Sequence, residues 1–69
     1  NFDLIFADPP YNYAYSRYIE LIHTVFENIK LKRDGLLIIE HSSKINFNNH
    51  LKFSYSRKYS SSTFSFFEK

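Results

Sequence analysis

Two apolar runs constrain this chain more than any other feature. Residues 2–7 (FDLIFA) and 36–40 (LLIIE) are short, rich in strand formers and without clean polar alternation. That pattern suits strands covered on both faces. The first run stops at Asp8-Pro9, where proline has no N–H to continue a ladder. Between the runs, Tyr18, Leu21, Ile22, Val25 and Ile29 recur at the three- and four-residue spacings of one helix face, which predicts a helix from Arg17 to about Leu31. Ser16 is placed to act as its N-cap and Glu20 to lie in its first turn, while Lys30, Lys32 and Arg33 meet its far end, where the dipole favours cations. Asp34-Gly35 reads as a turn or helix stop. A crossover of this length joins parallel strands and is right-handed.

Beyond the second run, SSKINFNNH is polar and irregular. Phe53, Tyr55, Arg57 and Tyr59 then alternate with Ser54, Ser56 and Lys58, and TFSFFE alternates again after Ser60-Ser61. This reads as an antiparallel hairpin, with Phe53, Tyr55, Phe64, Phe66 and Phe67 mostly in the core. The expected fold is α/β in the order β-α-β-β-β, parallel strands first and a terminal antiparallel hairpin last. One helix cannot cover both faces of such a sheet, so the layer is incomplete.

A chain of 69 residues makes one small domain that buries only about 60% of its unfolded surface. It has no cysteine, which excludes disulfides and thiolate metal sites and fits a reducing, cytoplasmic setting. No run approaches the roughly 18–20 apolar residues of a membrane span, and the first residues lack the pattern of a signal peptide. The chain opens on a strand without Met and reads as a piece of something longer. Charge is uneven. Residues 1–29 carry Asp3, Asp8, Glu20 and Glu27 against Arg17, a net of −3, and residues 30–69 carry eight cations against Asp34, Glu40 and Glu68, a net of +5. A basic second half points weakly to a polyanion partner; on charge alone a solvated lysine-bearing surface is the stronger reading.

Ligands of open α/β sheets bind outside the carboxyl ends of the parallel strands. Asp8-Pro9-Pro10-Tyr11 lies at one such end, and Glu40 and His41 at the other. The Asp8 carboxylate accepts hydrogen bonds. So does the Pro9 carbonyl, whose direction is set in advance by the fixed φ of proline. Two converging acceptors match the two hydrogens of an exocyclic amine, and Tyr11 is placed to stack on the ring that bears it, worth about 1–3 kcal/mol. The residues therefore describe a site for adenine, guanine or cytosine, with Pro10, Tyr13 and Glu40 as flanking substrate contacts. Asp-Pro also begins ordinary turns; its place directly after a buried-type strand favours the site. Tyr13 and Tyr15 either extend the stacking surface or cap the core. Glu40 and His41 are candidates for the pocket rim, and His23 reads as structural or exposed. Glu40, His41 and His50 have no metal-ligand spacing, so no metal is expected. Lys44, Lys52, Arg57 and Lys58 either meet phosphates or are solvated.

DLIFADPPY resembles motif IV of the amino-directed, S-adenosylmethionine-dependent nucleic-acid methyltransferases. YIELIHTVFENIKLKRDGLLIIEHS with SRKYSSSTFSFFE resembles the C-terminal half of the RsmD family. The resemblance implies the C-terminal part of a Rossmann-like methyltransferase sheet, with residues 1–69 a partial domain that lacks most of the S-adenosylmethionine-binding half. It implies methyl transfer to the N2 of a guanine in 16S ribosomal RNA, with ribosomal RNA or the small-subunit particle as partner. Asp8 and Pro9 would hold the target amine, Asp8 would also face the cofactor, and Tyr11 would stack. The family's glycine-rich loop is missing, since Gly35 is the one glycine, so the 69 residues are expected to be inactive alone. A glycine is expected where Ser60 stands, which suggests strain or a different turn there. In the family's sheet order strand 2–7 borders an absent strand, so self-association through that edge is expected. The alternative is a non-catalytic α/β remnant or binding module, distinguished by whether it binds S-adenosylmethionine.

Overall fold

A computed structural model describes residues 2–10, 12–28 and 31–68. Its elements are β1 (Phe2–Ala7), α1 (Tyr15–Asn28), β2 (Leu31–Ser42), β3 (Phe53–Tyr59) and β4 (Ser62–Glu68). They form one sheet in the order β1-β2-β4-β3. The β1–β2 pair is parallel, and β4 runs antiparallel to both β2 and β3. The element order is the expected one, but several boundaries move.

The helix begins at Tyr15, two residues before the expected start. Ala14 holds the N-cap position, its carbonyl accepting from the amides of Arg17 at 2.9 Å and Tyr18 at 3.3 Å. Ser16 is therefore inside the helix and caps nothing. The earlier start is held by aromatic packing: Tyr15 stacks on Phe47 with centroids 5.5 Å apart, and Tyr18 meets Tyr13 edge-on at 5.0 Å. That packing outweighs the weak capping of alanine. Glu20 falls beyond the first turn and forms an exposed ion pair with Arg17 at 3.8 Å. The helix is described only to Asn28, so Ile29 and Lys30 of the expected stripe and cationic end lie outside the described residues. Lys32 and Arg33 belong to β2 rather than to the helix end.

Asp34-Gly35 is likewise strand, not turn. The β1–β2 register runs from Phe2↔Leu31 to Leu4↔Leu36, so extra residues of β2 bulge out before the regular ladder starts. A buried Gly35 within the bulge leaves no side chain to accommodate there. A second irregularity falls between Phe53 and Tyr55, which pair with the consecutive residues Phe67 and Phe66. Consecutive residues of β4 face opposite sides, so the bulge at Ser54 turns Phe53 toward the core and Tyr55 away from it. Period two alone would have put both on one side.

The core lies between α1 and one face of the sheet. Tyr18, Ile22, Val25 and Phe26 from the helix meet Leu37 and Ile39 of β2, Phe67 of β4, and Phe47 from the 43–52 loop. Of the five aromatics read as mostly core, Phe67 is buried and Phe53 packs partly against it. Phe64 and Phe66 are half-buried on the opposite face, and Tyr55 is exposed there. That opposite face is open, as the single helix implied. On it Phe6 approaches Phe64 at 6.1 Å, Tyr59 approaches Phe64 at 5.6 Å, and Tyr55 stacks on Phe66 at 4.3 Å.

Candidate functional site

The carboxyl ends of β1 and β2 bring the sequence candidates to one edge of the sheet. Ala7 is the last paired residue of β1, opposite Ile39. One step further along come Asp8 and Glu40, on strands that run about 4.8 Å apart. Asp8 and Pro10 are exposed, while Pro9 and Glu40 are half-buried. The Pro10 carbonyl then accepts from the Tyr13 amide at 3.0 Å, turning the chain toward α1. Tyr11 lies outside the described residues, so its stacking role remains a proposal. Tyr13 is half-buried against Tyr18, with the Arg17 guanidinium 5.2 Å from its ring centre. A cation over a ring face is attracted by the ring's quadrupole. Arg17 thus covers one face of Tyr13. Tyr15 leans on Phe47 and serves the core on that side.

His41 is not on the rim. Strand alternation sends it to the covered side, opposite to Glu40, and it is 1% exposed. Its Nδ1 lies 2.9 Å from the Ser42 carbonyl oxygen. That oxygen only accepts, so Nδ1 carries the proton, and Nε2 of the neutral ring accepts from the Ser65 hydroxyl at 2.6 Å. Burial holds the His41 pKa below its ordinary value against the opposing pull of the Ser42 carbonyl. His41 is a satisfied core histidine, in edge contact with Phe47 at 4.9 Å. His50 accepts from the Lys52 amide through Nδ1 at 3.0 Å. Its pKa is lowered by burial and then by the Lys52 charge. His23 is exposed.

Sequence reasoning took Lys44 and Lys58 one at a time and missed that they share a groove. A hollow of about 470 Å³ is lined by Ser42, Ser43, Lys44, Lys58, Ser60 and Ser61. It sits where β2 ends beside the tip of the β3–β4 hairpin, since Ser42 pairs with Ser62 and Lys58 with Thr63. The signal was present in the hairpin: once its turn is fixed at Ser60-Ser61, Lys58 lies two residues before that turn. Lys52 is elsewhere, its ammonium 5.7 Å from the Phe26 ring centre. Arg57 is on the open face with Tyr59, Phe64 and Phe66, around a hollow of about 350 Å³. Among the described residues no cluster of three or more His, Cys, Asp or Glu stands ready for a metal, and no helix is long and apolar enough to cross a membrane.

A parallel strand pair extended by an antiparallel hairpin is an α/β arrangement that this chain shares with a solved structure. The structure of "putative methylase HI0767" from Haemophilus influenzae matches with a TM-score of 0.74 at 19% identity. The match covers 97% of this chain and 42% of that one, so the 69 residues span less than half of that protein's length. No curated protein matches the chain. The family model described as Conserved hypothetical protein 95 matches residues 1–68, and the chain belongs to that family.

Proposed function

We propose that this chain is the target-binding part of an S-adenosylmethionine-dependent methyltransferase that acts on the exocyclic N2 of a guanine in 16S ribosomal RNA. The observation that carries this reading is the placement of Asp8-Pro9-Pro10 at the carboxyl end of a parallel strand, level with Glu40 on its neighbour. A similar fold in a protein named as a methylase supports the class.

The residues present fit the accepting side of such a site and not the donor side. Gly35 is buried within β2 and offers no loop to cradle a cofactor, so the donor's cradle is proposed to lie in chain beyond these 69 residues. S-adenosylmethionine, when bound, supplies an electrophilic methyl group. The Asp8 carboxylate and the Pro9 carbonyl each accept one hydrogen of the amine. Holding both hydrogens favours a pyramidal nitrogen whose lone pair leaves the ring system. Asp8 faces the charge that develops on that nitrogen, and placement with electrostatic stabilisation supplies most of the effect. The departing amine proton need only reach water, because the methylated cation is strongly acidic. Tyr11 stacks on the base, which must be unpaired or flipped out for its amine to be reached.

The test is methyl incorporation into 16S ribosomal RNA and small-subunit particles by the full-length protein, followed by nucleoside analysis. N2-methylguanine is the expected product, and Asp8→Ala should abolish it. Label on adenine or cytosine would overturn the choice of base. S-adenosylmethionine binding without transfer to any nucleic acid, or no binding at all, would favour a non-catalytic module.

A further inference from the structure

We propose that the groove between the end of β2 and the hairpin tip binds a backbone phosphate of single-stranded RNA, one to a few nucleotides from the base held at Asp8. The identity of the strand rests on the methyltransferase reading; the phosphate chemistry does not. The lining is four serines and two lysines, with no acid and no apolar side chain. Hydroxyls and ammonium groups are the donors that phosphate oxygens accept from. Lys44 and Lys58 are both exposed and face one hollow. Bringing them together costs repulsion that an anion between them relieves. Glu40, two residues before Ser42 on β2, pairs with Phe64 and is not among the residues that line the groove.

The groove is built before any ligand arrives. The Ser43 amide donates to the Ser61 carbonyl at 2.9 Å, tying the loop after β2 to the hairpin tip. The Ser43 and Thr63 hydroxyls bond at 2.7 Å. The Lys44 amide donates to Ser42 Oγ at 3.2 Å, and the Ile45 amide to the Ser42 carbonyl at 3.1 Å. These bonds fix the backbone carrying both lysines, which lowers the ordering cost of binding.

Its position selects a polynucleotide over a free anion. The groove opens at the same sheet edge as Asp8, and β4 and β3 are the second and third strands from β1. At about 4.8 Å per strand this is a lateral separation of roughly 10–14 Å, to which the two or more residues by which the groove lies beyond the level of Asp8 add roughly 7 Å or more along the strands. Successive phosphates of one strand advance about 3.4 Å along a duplex and further in a stretched strand. A chain whose base sits at Asp8 can therefore lay a neighbouring phosphate in the groove.

The test uses oligouridine, which has no exocyclic amine for the Asp8 and Pro9 acceptors to hold, so that the lysine contribution is read on a strand that is not a methylation substrate. Binding to the full-length protein is followed by fluorescence anisotropy across about 50–200 mM salt. Lys44→Gln with Lys58→Gln should weaken binding and lower the slope of log K against log[salt] by about 0.7 if the two lysines neutralise one phosphate. Both side chains are exposed, and circular dichroism checks that the fold is kept. Lys52→Gln, outside the groove, should leave the slope unchanged. An unmoved slope in the double variant overturns the site, as does an equal drop for Lys52→Gln. Tighter, equally lysine-dependent binding of a phosphoserine peptide would reassign the groove to a protein partner and overturn the RNA reading. If the slope falls as expected but no methyl transfer is found, the groove stands and the methyltransferase reading falls. The converse result removes the groove alone.

Discussion

Phe47 comes from the stretch that reads as the most irregular in the sequence, yet it has no exposed surface. Four rings surround it: Tyr15, Tyr18, His41 and Phe67, with centroids 4.9–5.5 Å away. A lone aromatic among asparagines has no periodic partner, so nothing local marks it as core. Only the closing of the loop over the sheet shows it. Truncation to Phe47→Ala leaves a cavity at the meeting point of helix, sheet and loop, and should cost about 3–5 kcal/mol in chemical denaturation. A loss below about 1 kcal/mol would mean that the loop is not part of the core. His41 in the same cluster gives a pH dependence. Its folded pKa, like that of His50, lies below the ordinary value of 6.5. The unfolded chain then binds more protons in acid, so stability is complete above about pH 6.5 and declines as pH falls through the folded values, by at most about 1.4 kcal/mol per unit per histidine. Urea midpoints between neutral pH and pH 5 should fall accordingly, and His41→Gln should flatten that decline even though it lowers stability at neutral pH. An unchanged decline would assign the effect to other groups.

At the scale of elements, what was legible depended on whether a local pattern decided the outcome. The β1–α1–β2 order follows from apolar runs and helical spacing, and the hairpin from two alternating stretches around Ser60-Ser61. Boundaries were decided by tertiary packing instead. Tyr15 on Phe47 pulled the helix start back past Ser16, and the ladder to β1 drew Asp34-Gly35 into β2. The bulge at Ser54 is invisible to a period-two pattern, and it decides which side Tyr55 and Arg57 face. The Asp8-Pro9 corner was legible because the prolines fix where β1 must stop. The lysine groove was not, because its two halves are joined only by the β2–β4 ladder. Ser60 bears out the expected strain: its φ is 57°, in the left-handed region that costs a non-glycine residue about 1–2 kcal/mol. It is the first loop residue of a two-residue turn between Tyr59 and Ser62, the position where hairpins with positive φ at that residue alone prefer glycine. Ser60→Gly should raise stability by about 0.5–1 kcal/mol after the added entropy of the unfolded chain is counted. A loss would show that the Ser60 hydroxyl holds the turn.

The sheet as a whole ends in two unlike edges. On the far side β3 carries Arg57 and Lys58, charges of the kind that keep an edge from pairing with another chain. On the near side β1 has no charge from Leu4 to Ala7 and no proline before Pro9, and its other flank has no strand beside it among the described residues. Leu4 and Phe6 are 56% and 54% exposed and border the open aromatic face. We propose that the chain by itself associates through β1, as an unprotected apolar edge should. The choice of variant follows from the strand's two faces. Ile5 packs partly against the core, so a charge there would damage the fold and prove nothing. Leu4→Lys and Phe6→Lys place the charge on the exposed side and should shift sedimentation toward monomer. Tyr59→Lys lies on the same open face but on the opposite edge strand. If it dissociates the assembly equally, the aromatic face is the contact; if it has no effect while Phe6→Lys does, the contact is the β1 edge. A monomer whose sedimentation does not change with concentration would mean that β1 is protected by its own twist or by the 8–14 turn, and the edge proposal would fall.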